Sequence, residues 1–288
     1  RFESLGGVIR CGSEVTGIGV VDGRATSVRT AAGDTVTAER AVVANTSAPA
    51  LYERLLDEAD VPARTRRAMS TFVLDPSTVK VDWALDSTIP WVDPPDVAPG
   101  TFHVADSVEE MTRALNEVSA GSIPAAPFML AGQMGTTDPT RSPAGTESMW
   151  AYTHVPQRTV DDAGGEGIRG VWDHDDCERF ADRMQARIEA LAPGFGSRII
   201  SRRVLGPHEL EARDANLIGG AINAGSAQLH QQLIFRPVPG TGRAETPIKG
   251  LYLGSASAHP GGGVHGAAGM NAARAAIAHD RVRRFLRR

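Results

Sequence analysis

The chain has 288 residues, enough for one large domain or two ordinary ones. Hydrophobic residues make up 41% and charged residues 22%, an ordinary balance for a globular chain with a sizeable core. Lys and Arg number 30 against 34 Asp and Glu, a net charge of -4, so no long-range field favours nucleic acid or an anionic membrane. No run of about 18 apolar residues exists, so no spanning helix is predicted. The first residues, Arg1 to Gly7, have no apolar core or small-residue cleavage site of a signal peptide. The sequence opens in mid-pattern without Met, which predicts a fragment or a processed product. Cys11 and Cys177 lie far apart and form neither a CxxC nor a metal-ligand spacing. A reducing, cytoplasmic compartment is therefore expected.

The start reads as β structure. Val8-Ile9-Arg10, Glu14–Ile18 and Ala25–Thr30 are short runs with β-branched residues, and Asp22-Gly23 and Ala32-Gly33-Asp34 supply turns. Thr35–Arg40 continues the meander. Ala41-Val42-Val43-Ala44 is a continuous apolar run, the pattern of a fully buried strand. Ser47-Ala48-Pro49 opens a helix over Ala50–Glu58, and a second helix falls near Pro62–Thr71. From Ser77 the character changes. Val79–Leu85 alternates as a strand, Pro90–Pro99 is a Pro-rich loop, and Ser107 caps a helix through Ser119. Pro127–Gly132 and Glu147–Val155 are strands. Asp173–Leu191 is an amphipathic helix whose core face carries Phe180, Met184, Ile188 and Leu191. Ile199–Leu205 is a further strand, and His208–Gln232 is loop with a short helix. Gly250–Gly254 is a buried strand, His259–Gly266 a glycine-rich turn, and Gly266–Leu286 a long helix with Arg281, Arg283, Arg284, Arg287 and Arg288 towards its end.

The segment Gly250–Ala276 carries the chemistry. A buried strand runs into a turn of glycines, and a helix follows. Glycines admit positive φ and a close ligand approach. The helix N-terminus presents unpaired N–H groups and partial positive charge, which suits an anionic or electron-rich ligand. Gly261, Gly263 and Gly266 form a literal G-x-G-x-x-G. It is not read as a dinucleotide-binding start, because the residues after Gly266 form one helix without the strand and acid that such a unit requires. A bare glycine turn without a ligand is the alternative on residue chemistry alone.

The segment resembles the C-terminal signature of the phytoene dehydrogenase-like branch of FAD-dependent oxidoreductases, within the amine-oxidase superfamily. The resemblance rests on a strand, then Gly254-Ser255, then His259-Pro260-Gly261-Gly262-Gly263-Val264, then Gly266 and an Ala-rich helix. It extends to Leu5–Ile18, Gly33–Asn45, Asp138–Gly145, and Gly219-Gly220 with Gln231 and Arg236-Pro237. The implied fold class is α/β: a partial FAD-binding Rossmann-like domain, 1–70 and 205–288, with an inserted α+β substrate domain, 71–204. The implied activity is FAD-dependent dehydrogenation, desaturation or isomerisation of a hydrophobic substrate, isoprenoid or carotenoid-like. A truncated non-catalytic interaction or remnant protein is the alternative. A flavin amine oxidase is a third, with aromatic content of only 5% and no aromatic pair to flank a flavin.

The resemblance also implies residue roles. Val15 sits by the adenine through its backbone, and Ala44 ends the buried strand. Gly254 and Ser255 face the ribityl chain, where the wider superfamily places an acid. Ala44, Pro260 and Gly263 are further FAD-binding residues that the resemblance implies. Val264 and His265 present backbone N–H groups to the flavin's pyrimidine edge. His259 is the candidate base, histidine being the side chain whose ordinary range spans neutral pH. His154, His208 and His230 read as structural or surface residues. Asp173-His174-Asp175-Asp176 reads as a helix start rather than a metal site, and no metal is expected. The family opens with a βαβ unit whose turn cradles the FAD pyrophosphate. None precedes Arg1, so the 288 residues alone are expected to bind FAD weakly or not at all. The expected partner is a hydrophobic small molecule, not nucleic acid. A peripheral membrane contact, the missing N-terminal segment and a second copy of the chain are further candidates.

Overall fold

The structure is a computed structural model that describes residues 1–286. Arg287 and Arg288, assigned above to the basic helix end, lie outside the described residues. In chain order the first elements are β1 (Val15–Val21), β2 (Arg24–Thr30), β3 (Thr35–Thr37), β4 (Val42–Ala44), α1 (Ala63–Met69), β5 (Ser77–Leu85) and β6 (Thr101–Val104). Then come α2 (Val108–Ala120), β7 (Ser122–Ile123), β8 (Met129–Gln133), α3 (Met134–Thr137), β9 (Glu147–Val155) and β10 (Asp161–Asp162). The last are α4 (His174–Leu191), β11 (Ile199–Leu205), α5 (Pro207–Arg213), β12 (Leu251–Leu253) and α6 (Ala267–Leu286). Two compact units result, one from 1–74 with 223–288 and one from 75–222, so 205–222 falls with the second. No described helix is long and apolar enough to cross a membrane.

In the first unit, β1, β2 and β3 form an antiparallel meander with Ile18 opposite Val28. Asp22 and Gly23 both take positive φ, the geometry of a two-residue hairpin turn that matches strand twist. The strands β4 and β12 pair in parallel, Val42 with Leu251 and Ala44 with Leu253. Ile18, Ala25, Leu51, Leu251, Leu253 and Ala268 belong to one buried cluster.

Three expectations are corrected here. Val8-Ile9-Arg10 is not a strand; it is irregular and exposed, because three residues without a neighbouring strand cannot satisfy their backbone groups. The strand β4 is not fully buried. It pairs on one side only, and Val43 is 50% exposed. The helix expected over Ala50–Glu58 is a π-helical turn, Ala50–Leu55, ended by extended backbone at Leu56 and followed by a 3-10 turn at Glu58–Asp60. Its start is held as expected: Ser47 Oγ accepts from the Ala50 N–H at 3.3 Å.

The second unit is a five-stranded antiparallel sheet in the order β11-β5-β9-β8-β6. Alternation in β5 and β9 gives the sheet two unlike faces. Val79, Val81, Trp83, Met149 and Ala151 are buried in the same cluster as Phe180, Met184 and Ile188 of α4. Leu191, the last apolar residue of the α4 pattern, departs from it and is 39% exposed. The acids at the start of α4 serve structure. Asp173 caps the Asp176 N–H at 3.1 Å. The fully buried Asp176 carboxylate accepts from the N–H groups of Arg169, Val171 and Trp172 at 3.1, 2.8 and 3.1 Å.

Candidate functional site

The candidate site grows out of the parallel pair. Its two strands end side by side: the Gly254 N–H donates to the Ala44 carbonyl at 2.8 Å. In open α/β sheets the carboxyl ends of parallel strands are where ligands bind. Ala44 is buried there. The packing at Gly254 is close: a Cβ on it would lie 3.2 Å from Val43 Cγ1 and 3.4 Å from the Ala272 Cβ, so an alanine asks its neighbours to give by a few tenths of an ångström and a larger side chain has no room. Ala268 and Ala272 are buried, so small side chains let α6 lie tightly on the end of β12.

Past Gly254 the chain turns through Ser255-Ala256-Ser257-Ala258. The Ser255 side chain is buried and its Oγ accepts from the Ser257 N–H at 3.2 Å. Its hydroxyl thus shapes the turn. Ser257 Oγ accepts from the Ala48 N–H at 2.9 Å, tying the turn to the segment after β4. The His259–Pro260 peptide is cis. His259 Nδ1 is buried with no hydrogen-bond partner, and the His259 carbonyl accepts from Asn271 Nδ2 at 3.4 Å. That orphaned nitrogen is a buried polar atom whose partner a bound ligand could supply.

Gly262 to Gly266 are exposed, and Val264 stands clear of the protein surface. Gly263 has φ +144 and Gly266 φ +61, backbone that glycine adopts at least cost. A Cβ at Gly262 would lie 2.2 Å from Asn223 Oδ1, so this glycine keeps the turn close to that side chain. His265 Nδ1 accepts from the Ala267 N–H at 3.0 Å and so caps α6. The next N–H groups of the first turn have no acceptor within the helix. Val15 is exposed at the start of β1, opposite Thr30. The structure thus brings Ala44, Gly254, Ser255, His259 and Pro260 to one strand-end and turn, continuous with Gly263, Val264 and His265. Val15 lies on the separate meander. Sequence reasoning missed Asn223 and Asn271, which reach the turn from distant positions and carry no local pattern.

The second unit offers two other surfaces. On the sheet face away from α4, Trp150 stacks parallel to Tyr152 with centroids 6.1 Å apart, and His154 meets Tyr152 edge-on at 6.0 Å. Gly132 makes room, since a Cβ there would lie 2.5 Å from the indole. Burial, and then Asp75, hold the Tyr152 phenol above its ordinary range, so it stays neutral. A recess of about 490 Å³ is lined by Trp91, Pro94, Pro95, Phe102 and Leu191. Its one buried polar side chain, Gln133, is satisfied by Trp91 Nε1 at 3.1 Å and the Pro99 carbonyl at 2.7 Å. Burial, reinforced by nearby acids, pushes the Cys177 thiol up to about 11, which removes it as a nucleophile. His208 Nε2 lies 3.0 Å from the Val171 carbonyl. Among the described residues no group of three or more His, Cys, Asp or Glu is placed to hold a metal.

No protein-family model matches the chain. Relatives nevertheless exist. A pyridine nucleotide-disulfide oxidoreductase domain-containing protein 2 from Rattus norvegicus is 43% identical over 136 residues, 47% of this chain and 22% of that protein. A lycopene-forming phytoene desaturase from a Paracoccus species is 27% identical over 280 residues, 96% of this chain and 51% of the relative. The chain thus spans about half the length of the phytoene desaturase it matches. The crystal structure of an oxidoreductase from Methanosarcina mazei superposes on 96% of the chain and 51% of its own, with a TM-score of 0.58 at 16% identity. The resemblance drawn from the sequence holds: the relatives are phytoene desaturases and pyridine nucleotide-disulfide oxidoreductase-domain proteins, and the fold is like that of the Methanosarcina mazei oxidoreductase.

Proposed function

We propose that the chain supplies the flavin-facing part of an FAD-dependent oxidoreductase that dehydrogenates or isomerises an apolar, isoprenoid-like substrate. The carrying observation is the exposed glycine turn at the carboxyl ends of a parallel strand pair, opening into the N-terminus of α6. The phytoene desaturases among the relatives support the substrate class.

FAD, when bound, supplies the two-electron acceptor for the substrate. The residues present fit its isoalloxazine end. Gly266 carries no Cβ and has open space on that side, so a flat group can approach the backbone there. The Val264 and His265 N–H groups, with the positive end of α6, favour negative charge at the pyrimidine edge. His259 Nδ1 is the polar side-chain atom beside the turn that lacks a partner, and it is the candidate to hold or move a proton. The apolar recess of the second unit presents surface for a substrate without charge.

The test is a titration with FAD of the longest natural product that carries this chain, read by visible absorption and flavin fluorescence. The expected result is a bound spectrum shifted from free flavin, with weaker binding in Val264→Pro, which deletes one N–H. A product whose flavin spectrum stays that of free FAD throughout would refute the assignment and favour a non-catalytic remnant.

A further inference from the structure

The guanidinium of Arg236 is 1% exposed and inside the first unit. Main-chain carbonyls are among its acceptors. Nε and Nη2 donate to Ala256 at 2.9 and 2.7 Å. Nη2 also donates to Asn223 at 2.9 Å and Gly225 at 3.1 Å, and Nη1 to Ser226 at 2.9 Å and, at the longer distance of 3.5 Å, to Gln231. The chain passes directly over this group at Gly261, where a Cβ would lie 3.3 Å from Arg236 Cζ. Gly261 has φ +105.

The segment so gripped is stitched to a second one. The Ser226 N–H donates to the Val73 carbonyl at 2.9 Å. Gln231 holds Val73 twice, accepting from its N–H at 2.9 Å and donating to its carbonyl at 2.7 Å. Leu74 bridges to Gly225. Leu74 and Asn223 are the residues at which the chain leaves the first unit and returns to it. One continuous network therefore runs from both crossing segments, through Gln231 and Arg236, to the turn at Ala256.

We infer that Arg236 is a positioning residue that fixes the flavin-facing turn to the roots of the two crossing segments. Arginine suits this task because its planar fork spreads five donors over separated acceptors, whereas the three donors of lysine radiate from one point. Calling the turn flavin-facing rests on the function proposed above; the clamp itself does not.

The experiment is hydrogen exchange of the flavin-free 288-residue chain, resolved by peptide. In Arg236→Ala, exchange is expected to rise roughly ten- to hundredfold, the size of lost hydrogen bonds to a charged group. The rise should appear together at 72–74, 223–231 and 255–261, with β1, β2 and the second unit unchanged. Methylguanidinium should restore protection, ethylammonium should not, and Arg236→Lys should behave like the alanine variant. A rise spread evenly over the first unit, or rescue by ethylammonium, would overturn the inference. Should Arg236→Ala fail to fold, Gln231→Met cuts the same network at Val73. It is expected to loosen both 72–74 and 255–258, and loosening at 72–74 alone overturns the coupling. Flavin binding is read separately: a wild-type protein that never binds FAD refutes the proposed function and leaves the exchange result to stand.

Discussion

Replacing Gly263 by alanine should loosen the turn more than the same change at Gly266, and the structure fixes why. Gly266 has φ +61 and open space around its missing Cβ. Alanine there costs only the left-handed backbone, roughly 1–2 kcal/mol. Gly263 has φ +144, a region almost reserved for glycine, at about 1–3 kcal/mol. Its Cβ would also lie 2.8 Å from His265 Cδ2, so the imidazole must move. That movement gives up the cap on the Ala267 N–H, a further cost of about 0.5–2 kcal/mol. The two variants should therefore separate by roughly 1–2 kcal/mol, with Gly266→Asn milder than either because asparagine tolerates this backbone. The assay pairs exchange protection of the first turns of α6 with tryptophan fluorescence. All four tryptophans, Trp83, Trp91, Trp150 and Trp172, lie in the second unit, so fluorescence reports that unit alone. Equal loss in Gly263→Ala and Gly266→Ala, or a shifted tryptophan transition, would refute the reasoning.

Three other outcomes are expected. Asp176→Ala leaves three N–H groups without their acceptor and should destabilise the second unit by about 3 kcal/mol in urea unfolding; a loss near zero would mean water replaces the carboxylate. Burial alone would raise the Asp162 carboxyl, but hydrogen bonds from Arg183 and the Ile168 N–H outweigh it and hold the group below 3.8. The stability it contributes is thus present above the unfolded value and lost as pH falls through the lower folded one. Tryptophan-monitored unfolding should weaken below about pH 4, less steeply in Asp162→Asn, and identical slopes would count against the pairing. Gly254→Val should push α6 off β12 at about 1–3 kcal/mol, while Gly254→Ala is nearly tolerated; equal thermal midpoints for the two would contradict the packing.

Local pattern carried most of the elements. The Asp22-Gly23 hairpin, the Ser107 cap, the α4 stripe and the strand–turn–helix at the end are all short-range signals. What escaped was set by partners far along the chain. Val8-Ile9-Arg10 has strand chemistry and no strand beside it. Val43 sits in an apolar run, yet burial depends on what flanks β4, and among the described residues β12 is the strand that pairs with it. Leu191 keeps the helical period but comes at the helix end, where it lines the recess under the Pro-rich loop. At the site, the glycine turn was legible because glycines mark positive φ in any context. Asn223, Asn271 and the five-carbonyl grip of Arg236 were not, because a hydrogen bond between distant residues leaves no periodic trace.

The pairing of β4 with β12 also sets an order of assembly. Val42 must wait for Leu251, and everything from 75 to 222 is made between them. At ribosomal speeds of about 5–20 residues per second, that delay is on the order of ten seconds. The inserted unit is a contiguous stretch and can collapse as soon as it emerges. The β4–β12 pair of the first unit instead closes only when the segment around Leu251 arrives. Until then Val42–Ala44 lacks this partner, and its edge on that side is open to sticking or cleavage.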